Sequence, residues 1–214
     1  MNVMTLIVGE SGSGKSSSAR NLPADKTVIL NTERKFMPFK GFKNFKNIDV
    51  SSVKKFNQVV SELAKDDGKY EFVVVDSLTS FTEIVNKYTE VTFNGFEQWK
   101  QYNSIIYDML QGLKSLPQQV FITAIPEHLE KSLGEIKGYA RVKGKELKYG
   151  GIEKELSIVL WTKLVEDEDG IVVDYQLDYK PNKHNTAKSP HELFDSDVPN
   201  DLLQVSNAIK EYYA

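Results

Sequence analysis

Residues Gly9 to Ser16 read Gly-Glu-Ser-Gly-Ser-Gly-Lys-Ser, and no other stretch constrains the fold as tightly. They fit the pattern G-x-x-x-x-G-K-[ST]. The apolar run Val3-Met4-Thr5-Leu6-Ile7-Val8 precedes them as a strand should, and Lys15-Ser16-Ser17-Ser18-Ala19-Arg20 follows as the opening of a helix. Strand, glycine loop and helix in that order make the P-loop unit of a parallel α/β sheet. The glycines let backbone N–H groups turn inward around phosphates, and the helix start adds the positive end of a dipole. Gly9, Glu10, Ser11, Gly12, Ser13, Gly14, Lys15, Ser16 and Ser17 are therefore the expected nucleotide-binding set. Lys15 is placed to reach the β- and γ-phosphates and Ser16 to hold Mg²⁺. A glycine-rich turn before a helix would explain the glycines, but not the strand and spacing around them.

The rest of the composition narrows the class. A chain of 214 residues is the length of one α/β domain, here taken as 1–214, with enough apolar sequence for a good core. No apolar stretch approaches a membrane span, and no signal-peptide pattern precedes the loop, so a cytoplasmic protein is expected. There are no cysteines, which excludes disulfides and thiolate metal sites. The net charge of −3 means that any nucleic-acid affinity must come from local patches.

Hydrophobic periodicity places the remaining elements. Thr27–Thr32 reads as a second strand, followed by a basic, aromatic stretch from Arg34 to Lys46. Ser52–Lys65 has helical spacing, and Phe72–Asp76 is a continuous apolar run ending in an acid. Thr79–Tyr88 and Phe96–Leu116 read as helices, the second with Phe96, Trp99, Asn103, Ile106, Met109, Leu110 and Leu113 near one face. Gln119–Ile125 reads as another buried strand. Pro126–Gly151 is rich in glycine and poor in apolar residues, and is expected to be a long mobile loop. Leu156–Val165 and Ile171–Tyr179 form a hairpin around an acidic turn, adding antiparallel strands at one edge. Asp201–Tyr213 is a terminal helix. The expected fold is a three-layer P-loop NTPase with a mostly parallel sheet.

Two acids stand where a nucleotide hydrolase needs them. Asp76 ends the strand Phe72–Val75, so its carboxylate lies at the edge near the phosphates, suited to holding Mg²⁺. Glu33 closes the second strand on the same expected edge, within reach of a water that attacks the γ-phosphate. The alternative for Glu33 is a solvated charge beside Arg34 and Lys35.

Gly9–Ser16, Asn31-Thr32-Glu33 and Val73-Val74-Val75-Asp76-Ser77 together resemble the ATPase core of the RecA recombinases. Phe121-Ile122-Thr123-Ala124-Ile125 resembles the RecA strand that leads to its second DNA-binding loop. The chain departs from that family in two ways. The P-loop starts at once, with no oligomerisation segment ahead of it. Ala124 stands where the family carries a polar sensor, leaving Thr123, Glu127 and His128 as substitutes. Asn182–Pro190 and Val198–Leu202 resemble the C-terminal region of the short RecA-core ATPases of bacteriophages, nucleotide-binding AAA-domain proteins associated with single-strand annealing and recombination.

The resemblance implies ATP and Mg²⁺ as cofactors and Glu33 as catalytic base. It implies a homo-oligomer, ring or filament, in which Lys183 or Lys188 reaches the neighbour's γ-phosphate. Phe39, with Phe36 and Phe42 beside it, is the aromatic placed to stack on adenine. It implies single-stranded DNA as partner, a phage single-strand-binding protein as a second one, and an infected bacterial host as setting. Lys137, Tyr139, Arg141, Lys143, Lys145 and Lys148 offer the positive charge and the ring that single strands require, with the Arg34–Lys46 stretch as the other basic segment. Two other classes stay open. A small-molecule kinase would want an arginine-bearing lid, and the three arginines, Arg20, Arg34 and Arg141, are scattered. A nucleotide-gated interaction module with little turnover would share the same loop.

Overall fold

The structure, a computed structural model, describes residues 3–130, 135–143, 147 and 151–214. Its parallel strands are β1 (Met4–Val8), β2 (Thr27–Asn31), β3 (Lys46–Asp49), β4 (Phe72–Asp76), β5 (Gln119–Ala124) and β8 (Ile158–Glu166). A hairpin, β6 (Pro126–Glu130) and β7 (Ile136–Ala140), forms a separate two-stranded sheet. β9 (Val172–Asp178) and β10 (Val198–Pro199) complete the main sheet, whose order is β10-β9-β8-β1-β5-β4-β2-β3. The first six pair in parallel; β9 and β10 run antiparallel at one edge, as the sequence pattern implies.

The apolar runs are continuous because both faces of the sheet are covered. On one face lie α1 (Val53–Leu63), α2 (Leu78–Thr92) and α3 (Gly95–Lys114). Leu6, Leu30, Val73, Val75 and Ile122 point to that face and meet Phe56, Phe81, Tyr102 and Leu110. The alternate residues Ile7, Ile29, Val74 and Phe121 point to the other and meet Ala19, Leu22 and α4 (Leu202–Tyr212) through Leu202, Val205 and Ile209. The period of two along each strand thus feeds two cores. No helix among the described residues is long and apolar enough to cross a membrane.

The structure departs from the sequence expectations in four places. Residues 126–151 are not one long loop: they hold the β6–β7 hairpin, with His128 opposite Gly138, and Ala140, Val142 and Leu147 join the main core. The helix after the P-loop is a short 3₁₀ turn, Ser16–Asn21, ended by Leu22-Pro23. Three consecutive serines compete with the backbone for hydrogen bonds, and Pro23 cannot extend the turn. Strand β3, which begins at Lys46 where the basic stretch ends, has no apolar alternation because it is a charged edge strand. At the start of α3, Phe96 is 83% exposed and Trp99 41%, whereas Tyr102, Ile106 and Leu110 are fully buried, so only the later turns face the core.

One buried acid ties the late segments together. Glu153 is 4% exposed. One of its oxygens accepts from Ala140 N at 2.7 Å and from Thr186 Oγ1 at 3.2 Å, and the other finds no hydrogen-bond donor among the described residues. Burial pushes its carboxyl above the usual range, opposed by these hydrogen bonds and by the charge of Lys188. Lys188 itself pairs by backbone with Val159, at 2.8 and 2.9 Å.

These positions set two expectations for stability. Leu110→Ala, at a fully buried site, should lower unfolding free energy by ~2–5 kcal/mol in urea titrations, while Phe96→Ala changes it by no more than ~0.5 kcal/mol. A carboxyl with a raised folded pKa binds more protons folded than unfolded. Its ionisation therefore removes stability as pH rises from the ordinary value of ~4.3 through the folded one. Glu153→Gln should flatten that fall, measured as the difference between the two proteins' urea midpoints across pH 4 to 8; parallel curves would sink the assignment.

Candidate nucleotide-hydrolysis site

The C-terminal ends of β1, β2, β4 and β5 meet at one edge of the sheet, where the segments after β1, β2 and β5, together with β9 and Asn200, line a cavity of about 500 Å³. The loop after β1 can take its path only with glycines. A Cβ on Gly9 would lie 1.8 Å from Thr162 Oγ1 of β8. Gly14 has φ +90°, and its carbonyl accepts from Asn200 Nδ2 at 2.9 Å, where a Cβ would collide with the same nitrogen at 2.3 Å. Ser13 Oγ donates to Glu10 O at 2.7 Å and accepts from Thr162 Oγ1 at 2.8 Å, so β8 braces the loop from the side.

Lys15 is 9% exposed, and its ammonium donates to Glu10 O at 2.7 Å. Burial lowers its pKa, against the opposing pull of Asp76, Glu33 and Glu10. Ser16 Oγ lies 2.9 and 3.1 Å from the two carboxylate oxygens of Asp76, and Thr123 Oγ1 also donates to that carboxylate. Asp76 is 5% exposed; burial pushes its carboxyl up, and the hydroxyls of Thr123 and Ser16 resist that shift. A buried hydroxyl–carboxylate pair beside a phosphate loop is an oxygen donor set suited to Mg²⁺. Among the three residues considered for the polar-sensor role, Thr123 touches Asp76, and His128 Nε2 lies 2.9 Å from Glu10 Oε1 on the P-loop.

Glu33 sits one residue past Thr32 on a strand end knitted to β4. Thr32 N and Glu33 N donate to Asp76 O at 2.9 and 3.4 Å, and the Thr32 hydroxyl bridges the backbone of Ser77. The peptide bond between Asp76 and Ser77 is cis. The Glu33 carboxylate accepts from Ser77 Oγ at 3.0 Å and pairs with Lys35 Nζ at 3.2 Å. It lines the same cavity as Lys15 and Ser16.

The other residues singled out from the sequence are placed differently. Phe39 does not line the cavity; its ring packs edge-on against Phe45 at 5.4 Å, in the second core. Pro38 and Tyr175 are the ring-bearing residues that do line it, with Arg20, Asp174 and Asn200. Tyr139 is 6% exposed, so its ring is inside the protein rather than on the hairpin surface. Arg141 and Lys143 are exposed, Lys137 is half-buried, and Lys145 and Lys148 lie outside the described residues. The exposed aromatic beside them is Trp99, which borders a cavity of about 290 Å³ with Arg141, Lys143, Glu83 and Glu127. Lys183 is exposed, on a segment joined to the hairpin where Gly138 N donates to His184 O at 2.8 Å. Lys188 is half-buried and its charge faces Glu153. Sequence reasoning missed Asn200, Tyr175 and Lys35. Tyr175 carries no local motif, Asn200 stands in the Val198–Leu202 segment without a role read for it, and both reach the cavity only through the fold; Lys35 is readable only as the near neighbour of Glu33.

Comparison with known proteins agrees with this architecture. A family model described as an AAA domain matches residues 1–191. A KaiC-like protein from the hyperthermophilic archaeon Pyrococcus horikoshii superposes with a TM-score of 0.51 at 14% identity, over 82% of this chain and 76% of that one. The RadB recombinase gives 0.46 at 19% identity, over 77% and 76%. No curated protein matches the chain by sequence. The family match runs through every strand of the parallel sheet and ends before β10. The chain belongs to the AAA domain family, and its family and fold are those of P-loop ATPases.

Proposed function

We propose that the protein is a Mg²⁺-dependent ATPase of RecA-core type that acts on single-stranded DNA, in phage recombination, annealing or replication. The observation that carries the hydrolytic reading is the convergence of Lys15, the Ser16–Asp76 pair and Glu33 on one cavity. ATP enters with its phosphates against the backbone N–H groups of Gly12–Ser17. Lys15 leaves the Glu10 carbonyl for the phosphates, exchanging one hydrogen bond for a charge-assisted pair. Ser16 and Asp76 would hold Mg²⁺, which when bound offsets charge on the phosphate oxygens. Glu33, held by Ser77, orients the attacking water and accepts its proton. Tyr175 takes over from Phe39 as the ring offered to the base.

The DNA reading is supported by the exposed Arg141 and Lys143 and the neighbouring ring of Trp99, since charge and stacking together suit single strands. Lys137, and beyond the described residues Lys145 and Lys148, belong to the same basic segment. Assembly is the finer part of the proposal: the exposed Lys183 extends toward solvent, where a neighbouring subunit would meet it, whereas Lys188 is engaged with Glu153 in its own chain. A second reading, a nucleotide-gated module with little turnover, is favoured by one contact. The His128–Glu10 pair joins the hairpin directly to the phosphate loop, so phosphate binding and hairpin position are mechanically linked.

Lys15→Ala should cost about 2 kcal/mol or more in ATP affinity by titration calorimetry. Glu33→Gln should keep that affinity and lower kcat by ~10²–10⁴-fold. Wild-type turnover in Glu33→Gln would remove Glu33 as the base; absent turnover in the wild type, with tight ATP binding, would favour the gated module. For DNA, neutralising Arg141 and Lys143 should weaken single-strand binding and reduce the slope of log affinity against log salt by up to ~0.7 for each phosphate no longer neutralised. An unchanged slope moves the DNA site to the Arg34–Lys46 stretch.

A further inference from the structure

Lys35 occupies a position that the hydrolysis scheme leaves unexplained. Its ammonium lies 3.2 Å from Glu33 Oε2, and its side chain is 78% exposed, so among the described residues this ion pair is what holds it. Its backbone, by contrast, is fixed. Asn31 is 1% exposed and spends its Nδ2 on the Lys35 carbonyl at 2.7 Å. Between them Arg34 has φ 54°, the left-handed region that non-glycine residues seldom enter. This turn folds residue 35 back over residue 33 and sets both side chains on the wall of the cavity that holds Lys15 and Ser16.

Electrostatics gives the arrangement a purpose. The Glu33 carboxylate is close enough to Lys15 to act on its charge. A γ-phosphate bound at Lys15 therefore brings its negative charge toward an anionic base, and like charges oppose that approach. A mobile cation between the two removes the conflict. We propose that Lys35 is a catalytic cation supplied by the chain itself: it neutralises Glu33 before ATP binds and turns onto the γ-phosphate when ATP is present, freeing the carboxylate to take the water's proton. This rests on the assignment of Glu33 as the base.

The step balances without a further reagent. The water oxygen bonds to the γ-phosphorus as the bond from that phosphorus to the β,γ-bridging oxygen breaks. The bridging oxygen leaves on ADP with the electron pair. Glu33 takes the proton released by water and later yields it to the phosphate product or solvent. Lys35 moves no proton; it stabilises negative charge on the γ-phosphoryl oxygens as they separate from ADP. A charge supplied in this way is present in an isolated subunit.

The test compares Lys35→Met, Lys35→Arg and Glu33→Gln with the wild type. The exposed site makes Lys35→Met safe for folding, which circular dichroism checks. Lys35→Met should lower kcat by at least ~10-fold with KM for ATP changed less than ~3-fold, and Lys35→Arg should restore part of the rate. Binding of ADP with aluminium fluoride and Mg²⁺, a mimic of the transferring phosphoryl group, should weaken by the same factor as kcat, while binding of ADP alone stays unchanged. The fall in activity per subunit should be the same at all protein concentrations. Overturning results are a kcat equal to or above that of the wild type, or equal weakening for ADP and the aluminium fluoride complex. If Glu33→Gln turns over normally, the base assignment fails instead, and the Lys35 result is then read against that outcome: a slow Lys35→Met beside a normal Glu33→Gln overturns the coupling between the two residues.

Discussion

The carboxylate of Asp76 is the point on which the site's geometry rests. It is almost removed from solvent, yet three separate strands meet there: Ser16 follows the loop of β1, Thr123 comes from β5, and Asp76 itself ends β4. A buried charge is costly unless hydroxyls or cations satisfy it. The strand order answers this cost by placing β5 between β1 and β4, so that one hydroxyl comes from the adjacent strand β5 and another from the loop after β1, one strand further on. The backbone carbonyl of the same residue holds Thr32 and Glu33, so the proposed base is indexed to the proposed metal ligand by main-chain hydrogen bonds. Such indexing fixes position without relying on long side chains.

The parallel sheet was legible in the sequence because its signal is local. The continuous apolar run Val73-Val74-Val75 reads as a strand covered on both faces, and the P-loop dictates what stands on either side of it. The position of Glu33 on the cavity wall was legible because a strand end at the ligand edge is a place, inferred from topology rather than from its neighbours. The hairpin was not, because its two strands are only five residues each and carry too few apolar residues to show a period. Tyr139 followed from that error: on a loop a tyrosine beside lysines is a stacking ring, whereas on β7 it lies in a run of three buried residues, Gly138, Tyr139 and Ala140. Phe39 failed for a related reason, since aromatic residues that follow one another in a basic stretch can still be turned inward by an edge strand just beyond them.

Residues that meet across long sequence separations form the illegible remainder. Asn200 and Tyr175 touch the cavity through β9 and β10, short antiparallel additions whose pairing no composition announces. Lys35 is closer, but its direction depends on one backbone angle at Arg34. Hydrophobic pattern specifies which surfaces are covered; it carries little information about which polar side chain faces which. The polar contacts that join the hairpin to the P-loop and to the Asn182–Lys188 segment are of this second kind.

The bond from Asn200 to the carbonyl of Gly14 spans 186 residues. Arg20, just after the loop, donates back to the Asn200 carbonyl at 2.7 Å, and Asn21 reaches Asp201 at 2.7 Å. The phosphate loop therefore leaves a ribosome well before the residues that support it. During synthesis the growing chain carries the glycines and lysine of a nucleotide site long before it carries their brace. The brace on Gly14 and on the turn that follows it thus comes into place only when residues near 200 have been made and have docked.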